Sequence, residues 1–329
     1  MKHFRALLTL ALLAAGLVAA PSAQGRIGLA SVVPDGSIWD KNLNQMAAEW
    51  QKATGGRIVV YANGTQGDEP TVVRKMNLGT LQAAAITIVG LSDIDPAFNV
   101  FTIPFFFDSY DELNHVIEKL EPMLEQRLDA KGFVLLNWGH GGWVQIFSKT
   151  PVRSVDDLKK ARLYTSAGDP RMADWYKNNG FNPRALAMTD ILTSLTTGII
   201  DAIPSSPLAA LLFQWYRQTP YMLDVGIAPV VGATVMSSRA WNRLAAPDRA
   251  TLEQIAGRVE QRLKAEVPGQ DESSVAAMTK RGLTVTKADV AEWREAARGF
   301  ADQMRGEMVP RDIFDLALRE RDAYRATRP

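Results

Sequence analysis

The chain has 329 residues, of which 47% are hydrophobic and 22% are charged. A chain of this length can bury a full core, and because single cores stop growing at roughly 250 to 300 residues, we predict two lobes. Its 37 Lys and Arg against 36 Asp and Glu leave a net charge of +1. This balance gives no reason to expect nucleic acid or an acidic membrane surface as a partner, so any selectivity for charge must be local.

The first 24 residues have the pattern of a secretory signal. A basic start, MKHFR, precedes an apolar run that ends near Ala20. The run is shorter than the about 20 apolar residues that a membrane-spanning helix needs. We therefore predict export to the periplasm, with cleavage between Ala20 and Gln24. A retained N-terminal anchor is the alternative. The sequence contains no cysteine, so the exported chain is expected to fold without disulfides.

Strands and helices alternate along the first part of the chain. The stretch RIGLASVVP predicts a strand, and Ser37 with Asp40 three residues later predicts the capped start of a helix. A strand at residues 58–61, a helix at about 71–78 and a short strand in QAAAITIVG are predicted next. This alternation predicts a largely parallel sheet covered by helices on both faces.

The later part of the chain has the same character. The predicted strands are FVLLNWG (133–139), VQIFSK (144–149), RLYT, IIDAIP and PVVGATVMSS. The predicted helices begin near Ser154, cover 171–179 and about 189–198, and dominate from Pro247 onwards. The glycine-rich stretch GHGGW between the first two strands predicts a turn. Pro268 followed by Gly269 predicts an interruption of the C-terminal helices.

Signals for catalysis or metal binding are weak. GHGGW resembles the oxyanion loop of esterases, but the chain has no G-x-S-x-G elbow, and a hydrolase that uses His140 is kept only as an alternative. SDIDP at 92–96 offers two carboxylates without further ligands at calcium-loop spacing. There is no zinc-type spacing, Walker sequence or dinucleotide fingerprint. We therefore predict a binding protein without cofactor or metal, not an enzyme.

Aromatic and cationic residues near predicted strand ends are the candidates for binding. Trp138, Trp143 and Trp215 lie beside such ends, where α/β sheets place ligands, although tryptophan also packs in cores. Arg162 enters a predicted strand, and a guanidinium there requires an anionic partner. That partner is either a ligand carboxylate or an internal Asp or Glu in a structural salt bridge, and these residues alone leave both open.

Five segments, in a fixed order, resemble the extracytoplasmic solute-binding proteins of tripartite ATP-independent periplasmic (TRAP) transporters, the DctP family. The segments are MAAEWQKATGGRIVVYANGTQGDEPTVVRKMNLGTLQAA, IPFFFDSYDEL, FSKTPVRSVDDLKKARLYT, MTDILTSLTTGIIDA and SSRAWNRLAAPDRATL. The resemblance runs from about residue 27 to about residue 300. It implies an α/β periplasmic binding protein fold of two lobes, joined by crossing strands and a long connecting helix.

The resemblance also implies an organisation and a set of partners. Lobe I is expected at 25–149 with about 236–282, and lobe II at 150–235 with about 283–329. A small organic acid is expected to be trapped between the lobes and delivered to a membrane permease driven by an ion gradient. The receptor is expected to be a monomer, with a dimer as the alternative. A sensory protein of the same fold is a rival interpretation.

The resemblance assigns roles to individual positions. It places Arg162 where the family has the arginine that holds the ligand carboxylate, and Gln66 and Glu69 in a stretch that lines the other lobe. Val144 stands where many members have a second arginine, and Ser206 where many have an asparagine. These departures favour a monocarboxylate with an apolar body over a dicarboxylate, and a carrier of a larger hydrophobic ligand is the alternative. The predicted ligand contacts are Arg162, Trp143, Gln66, Glu69, Trp138, Met188, Ser205, Ser206 and Trp215.

Overall fold

The computed structural model describes residues 26–327, so the predicted signal at 1–24 lies outside the described residues. The strands are β1 (Ile27–Ser31), β2 (Ile58–Tyr61), β3 (Ala83–Thr87), β4 (Phe133–Ser148), β5 (Arg162–Ser166), β6 (Asn182–Leu186), β7 (Ala202–Ser205), β8 (Tyr221–Leu223), β9 (Ala228–Ser237) and β10 (Thr284–Thr286). The first eight helices are α1 (Ile38–Thr54), α2 (Glu69–Asn77), α3 (Ile88–Ile94), α4 (Tyr110–Ala130), α5 (Val155–Lys160), α6 (Pro170–Asn178), α7 (Ile191–Thr197) and α8 (Pro207–Leu212). The remaining helices are α9 (Ser238–Trp241), α10 (Ala246–Glu266), α11 (Pro268–Thr279), α12 (Val290–Met304) and α13 (Arg311–Ala326).

The strands form two half-sheets that share β4. The first half-sheet has the order β2-β1-β3-β9-β4, and β4 pairs with β9 from Phe133 to Val144. The second half-sheet begins where Gln145 of β4 pairs with β7, continues through β5 to β6, and includes β8 and β10 at the other side of β4. One long strand therefore crosses from one half-sheet to the other. The residue boundaries of the two lobes stay a prediction.

The sheet is mixed, and the prediction of a largely parallel sheet is wrong for its centre. Strands β1, β2 and β3 are parallel to one another, as are β5, β6 and β7, but β9 is antiparallel to both β3 and β4. Strand β4 carries the chain from the first half-sheet to the second, and β9 returns beside it. Because β4 and β9 are neighbours and run in opposite directions, they pair antiparallel.

The GHGGW stretch is not a turn, because β4 continues through it. Gly142 has a φ of 93°, and the register against β9 shifts between His140 and Trp143, which is the geometry of a β-bulge. Asp271 of α11 holds the bulge, since its Oδ2 accepts a hydrogen bond of 2.8 Å from the Trp143 amide. Pairing with β9 on both sides of the glycines keeps the strand intact where local composition predicted a break.

Several local signals are confirmed. Ser37 caps α1 by accepting from the Asp40 amide, and α11 begins at Pro268 directly after α10. The strand predicted in QAAAITIVG ends earlier than expected, at Thr87, because the Thr87 hydroxyl caps α3 through the Val89 amide. Within the described residues, no helix combines the length and apolar character needed to cross a membrane.

Helices cover both faces of the first half-sheet. On one face, α1 and α10 bury a cluster that includes Trp50 and Val259, which are at most 1% exposed. On the opposite face, α4 and α13 bury a larger cluster that includes Leu120 and Ile313, which are fully buried. The half-sheet is thereby a rigid support for the chain segments that follow β3 and cross along β4.

Candidate ligand cleft

Two neighbouring cavities lie where the chain passes between the half-sheets. Four residues line both of them: Val89 at the start of α3, Val144 of β4, Tyr164 of β5 and Pro204 of β7. Each cavity has a volume of about 280 Å³. Taken together they fall within the roughly 300 to 1,000 Å³ that is typical of small-molecule sites. We call the pair the cleft.

The cavities are distinguished by their other walls. Cavity A is lined, among others, by Trp39, Asn137, His140, Met188, Phe213 and Trp215. Cavity B is lined, among others, by Phe105, Asp169, Trp175, Tyr176, Phe181 and Phe300. Because aromatic and aliphatic side chains form most of both walls, the burial of an apolar ligand body is the main interaction that the cleft offers.

Charged groups are scarce in the cleft. Among the described residues that line the two cavities there is no Lys or Arg, and the one carboxylate is Asp169. Asp169 caps α6 through the Met172 amide, and burial raises its pKa while that hydrogen bond opposes the shift. A buried carboxylate of a ligand is costly without a paired cation. The cleft is therefore suited to a ligand whose charge is small or remains at the solvent edge.

Arg162 is not among the residues that line either cavity. It is the first residue of β5, its side chain is 44% exposed, and its Nε is 2.8 Å from Asp201 Oδ2. Tyr164, two residues further on, lines both cavities. Parallel α/β sheets bind ligands at the carboxyl ends of their strands, and Arg162 is at the amino end of β5. In the structure, Arg162 forms a salt bridge with Asp201. A contact between Arg162 and a ligand stays a prediction.

Replacement of Arg162 by alanine tests that prediction. We expect the free energy of unfolding to fall by less than about 1 kcal/mol, because the ion pair is exposed and Asp201 keeps its bond from the residue 162 amide. We expect ligand affinity to change less than about twofold, as in the exposed control Arg153→Ala. Calorimetric titration measures this. A loss of tenfold or more confined to Arg162→Ala would establish that the ligand reaches this guanidinium.

Tyr164 is the polar residue at the centre of the cleft. Burial raises the pKa of its phenol, and the charge of Glu69 acts in the same direction, so the hydroxyl is neutral at physiological pH. Val89 and Pro204 complete the shared wall. None of these three was predicted as a ligand contact. The alternation of side chains along RLYTS was the available signal for Tyr164, since its neighbour Leu163 is fully buried in the core.

Four of the nine predicted contacts line cavity A: Met188, Ser205, Ser206 and Trp215. Trp215 stacks on Phe213 with ring centroids 4.6 Å apart. Ser206 caps α8 through the Ala209 amide, and Ser205 Oγ donates to the Ser206 carbonyl, so both hydroxyls are engaged within the protein. Their contact with a ligand stays a prediction.

The structure, which describes all nine residues, places the other four outside the cavity linings along with Arg162. Gln66 accepts from Lys75 through its carbonyl and its Oε1. The Trp143 ring packs edge-on against Tyr110 with centroids 5.7 Å apart. Glu69 and Trp138 are buried, and both side chains form hydrogen bonds within the protein.

The described residues contain no cluster of acidic and histidine side chains that could hold a metal ion. In the SDIDP stretch, Asp95 accepts from the Ala97 amide at 2.9 Å and lies 3.5 Å from the Arg127 guanidinium. The Asp95 carboxylate therefore caps a short 3₁₀ helix and forms an ion pair with α4. These contacts explain the second carboxylate of the SDIDP motif without a metal ion.

Two half-sheets that share a long strand, with an apolar cleft at their junction, are the architecture of a two-lobed α/β protein that can enclose a small molecule. The family model for bacterial extracellular solute-binding protein, family 7 (DctP), matches residues 29–307. The chain therefore belongs to the DctP family, the solute-binding proteins of TRAP transporters, and not to a family of enzymes.

Curated relatives are similar at modest identity. An uncharacterized protein of Haemophilus influenzae is 26% identical over 200 residues, 60% of each chain, so this chain spans about three fifths of that relative's length. A solute-binding protein of Verminephrobacter eiseniae is 26% identical over 74% of this chain and 73% of its own. The C4-dicarboxylate-binding periplasmic protein DctP of Rhodobacter capsulatus is 23% identical over 77% and 78%.

Solved structures confirm the two-lobed α/β fold. The extracytoplasmic solute receptor DctP7 of Bordetella pertussis, which binds pyroglutamic acid, has a TM-score of 0.83 at 23% identity, covering 91% of this chain and 99% of its own. A TRAP periplasmic solute-binding protein from Xanthobacter autotrophicus with bound β-D-galacturonate has a TM-score of 0.83 at 21% identity, covering 90% and 99%. At these identities the structures establish the fold alone.

Proposed function

We propose that this protein is the periplasmic receptor of a TRAP transporter, that it captures a small organic acid with one carboxylate and a large apolar body, and that it delivers this ligand to a membrane permease. Relatives with bound pyroglutamic acid, galacturonate and glucuronate support an acid as the ligand class. The apolar body of the ligand is inferred from the cleft wall. Val89, Val144, Tyr164 and Pro204 line both cavities, and no described Lys or Arg lines either of them.

Energetics favour this ligand over a dicarboxylate or a sugar acid. Micromolar affinity requires about 8 kcal/mol, and a cleft whose described lining contains no Lys or Arg must obtain it chiefly from apolar area at about 25 cal/mol per Å². Each hydroxyl group of a sugar acid needs a hydrogen-bond partner, and most of the cleft wall is aliphatic or aromatic. We expect the single carboxylate to stay hydrated where the cleft opens to solvent.

Val89→Trp tests the location of the ligand. Val89 is partly exposed and lines both cavities, so an indole there occupies the space of the ligand while the core stays intact. With 3-phenylpropanoate as the probe, we expect calorimetric affinity to fall at least about tenfold, which corresponds to 1.4 kcal/mol. The matched control is Val290→Trp, at a valine that is 41% exposed on α12.

Three outcomes separate the possibilities. Binding of 3-phenylpropanoate that is blocked only by Val89→Trp supports the proposal. Binding of galacturonate in preference to 3-phenylpropanoate contradicts the proposal that the ligand has a large apolar body. Cavity B also allows a larger ligand, because its aromatic wall extends the cleft beyond Tyr164, and decanoate binding tenfold tighter than 3-phenylpropanoate would identify a carrier of longer hydrophobic acids.

A further inference from the structure

Two segments from opposite half-sheets meet beside the cleft. Residues 166–169 follow β5 and lead into α6, and Asp169 of this segment lines cavity B. Pro70 lies in the first turn of α2, which packs on the first half-sheet. A β-carbon at position 168 would lie 3.0 Å from Pro70 Cδ and closer still to its Cγ, so a side chain at Gly168 has no room. We call the segments 68–71 and 166–169 the lips of the cleft.

The need for glycine at position 168 comes from the opposite lip. Gly168 is not among the glycines with a positive φ, so a left-handed backbone does not account for it. The other use of glycine is to allow another part of the chain to approach closely, and here that part is the Pro70 ring. The contact joins residues almost 100 positions apart in the chain, one from each half-sheet.

Both lips are held by hydrogen bonds of their own. The Gly168 amide donates to Ser166 Oγ at 3.1 Å. In the other lip, Asp68 caps α2 by accepting from the Thr71 amide at 3.1 Å. The ring of Pro70 is bonded to its own backbone and cannot swing aside as a long side chain does. An added methyl group at position 168 is therefore accommodated chiefly by separation of the two lips.

Opposite charges face each other beside this contact. Burial raises the pKa of Asp93 on α3, the charge of Arg171 on α6 opposes the shift, and the charge of Asp68 adds to it. A cation of the second half-sheet therefore acts on carboxylates of the first. This attraction favours contact between the lips, although exposed charges contribute only modestly.

We infer that the contact between Gly168 and Pro70 sets how far the cleft closes, and that both are positioning residues for the ligand. The inference rests on the proposed function, which supplies the acid that the closed cleft retains. Neither residue lines a cavity, so both act through the separation of the cleft walls. Walls that are held apart bury less of an apolar ligand, so we expect a side chain at position 168 to speed dissociation.

Calorimetric titration with 3-phenylpropanoate tests the effect on binding. We expect affinity to fall about tenfold in Gly168→Ala and further in Gly168→Phe. The matched control is Gly257→Ala, at an exposed position on α10 where a β-carbon meets no atom within 4 Å. We expect this control to stay within about twofold of wild type.

A second substitution in the opposite lip provides the rescue. Pro70→Ala removes the Cγ and Cδ atoms that a new methyl group at position 168 would meet. Alanine is a good helix former, so α2 is expected to persist. We expect Pro70→Ala combined with Gly168→Ala to bind 3-phenylpropanoate within about threefold of wild type. A purely local role of Gly168 would not respond to a change in Pro70.

Spin labels measure the separation of the lips directly. The chain contains no cysteine, so Asn77→Cys on α2 and Lys177→Cys on α6, both at exposed positions, provide unique labelling sites. We expect the shortest distance that the wild type populates to be depleted in Gly168→Ala and missing in Gly168→Phe, with or without ligand. We expect Pro70→Ala to restore it in the Gly168→Ala background.

The outcomes separate this inference from the proposed function. Unchanged distances and affinities in both Gly168 variants would show that the lip shifts locally, which overturns the inference and leaves the apolar acid standing. A loss of affinity that Pro70→Ala does not rescue also overturns it. If the wild type binds neither 3-phenylpropanoate nor decanoate, the proposed function is overturned, and the distances alone decide whether Gly168 and Pro70 limit closure.

Discussion

Replacement of Trp138 by alanine is expected to lower the free energy of unfolding by about 3–5 kcal/mol. Trp138 is 1% exposed and packs edge-on against Phe101 and tilted against Phe98, with centroids 5.7 and 6.1 Å away. Its indole Nε1 donates to Glu121 Oε2 at 2.7 Å. The substitution therefore removes a large apolar side chain, leaves a cavity, and deprives a carboxylate of its donor. Urea denaturation followed by circular dichroism measures the change.

The variant Trp138→Phe is the graded control for this prediction. It keeps most of the packing and loses the bond to Glu121, so we expect it to cost about 1 to 2 kcal/mol. A cost below 1 kcal/mol for the alanine variant, together with a large loss of ligand affinity, would support the prediction that Trp138 contacts the ligand. The expected result instead assigns it to the core behind the cleft.

Replacement of Glu69 by alanine is expected to cost about 3 kcal/mol and to weaken ligand binding. The buried Glu69 carboxylate accepts three bonds of 2.8 Å, from the Thr87 amide, the Thr87 hydroxyl and the Gly90 amide. Removal leaves these donors unpaired in the interior. The same bonds position Val89, which lines both cavities, so we expect the affinity for 3-phenylpropanoate to fall about three- to tenfold.

The pH dependence of this variant has a defined sign. Burial raises the pKa of Glu69 above its ordinary value of 4.5, although its hydrogen bonds oppose the shift. The folded state therefore binds the proton more tightly than the unfolded state, and the contribution of Glu69 to stability declines as the pH rises from 4.5. We expect the difference between wild type and Glu69→Ala to be larger at pH 4.5 than at pH 8, by equilibrium urea unfolding.

The control for Glu69 is Glu118→Ala, at an exposed position on α4, which we expect to change the free energy of unfolding by less than about 0.5 kcal/mol at either pH. A Glu69→Ala variant as stable as this control would show that water replaces the lost carboxylate. A pH trend of the opposite sign would mean that the three hydrogen bonds outweigh burial and lower the pKa of Glu69.

Much of the cleft could not be predicted from local patterns. Arg162 and Tyr164 are two residues apart on one strand, and only the pairing of β5 with β6 and β7 shows which end of the strand meets the cleft. Glu69 begins a helix like many surface glutamates, and its burial depends on the close approach of Thr87 and Gly90. His140 was weighed as a catalytic base, whereas it is buried on β4, and its burial depends on the pairing of β4 with β9, about 90 residues further along the chain.

By itself, the sequence determined the elements whose causes are local and the family to which they belong. Ser37 begins a helix because its hydroxyl binds the amide three residues on, and the Pro268 break follows from the missing amide of proline. Five segments in order sufficed to predict the DctP family. Tertiary structure alone decided that β4 runs unbroken through GHGGW, and that Tyr164 lies in the wall shared by the two cavities. Both depend on contacts between residues far apart in the chain, whose pairing no local pattern specifies.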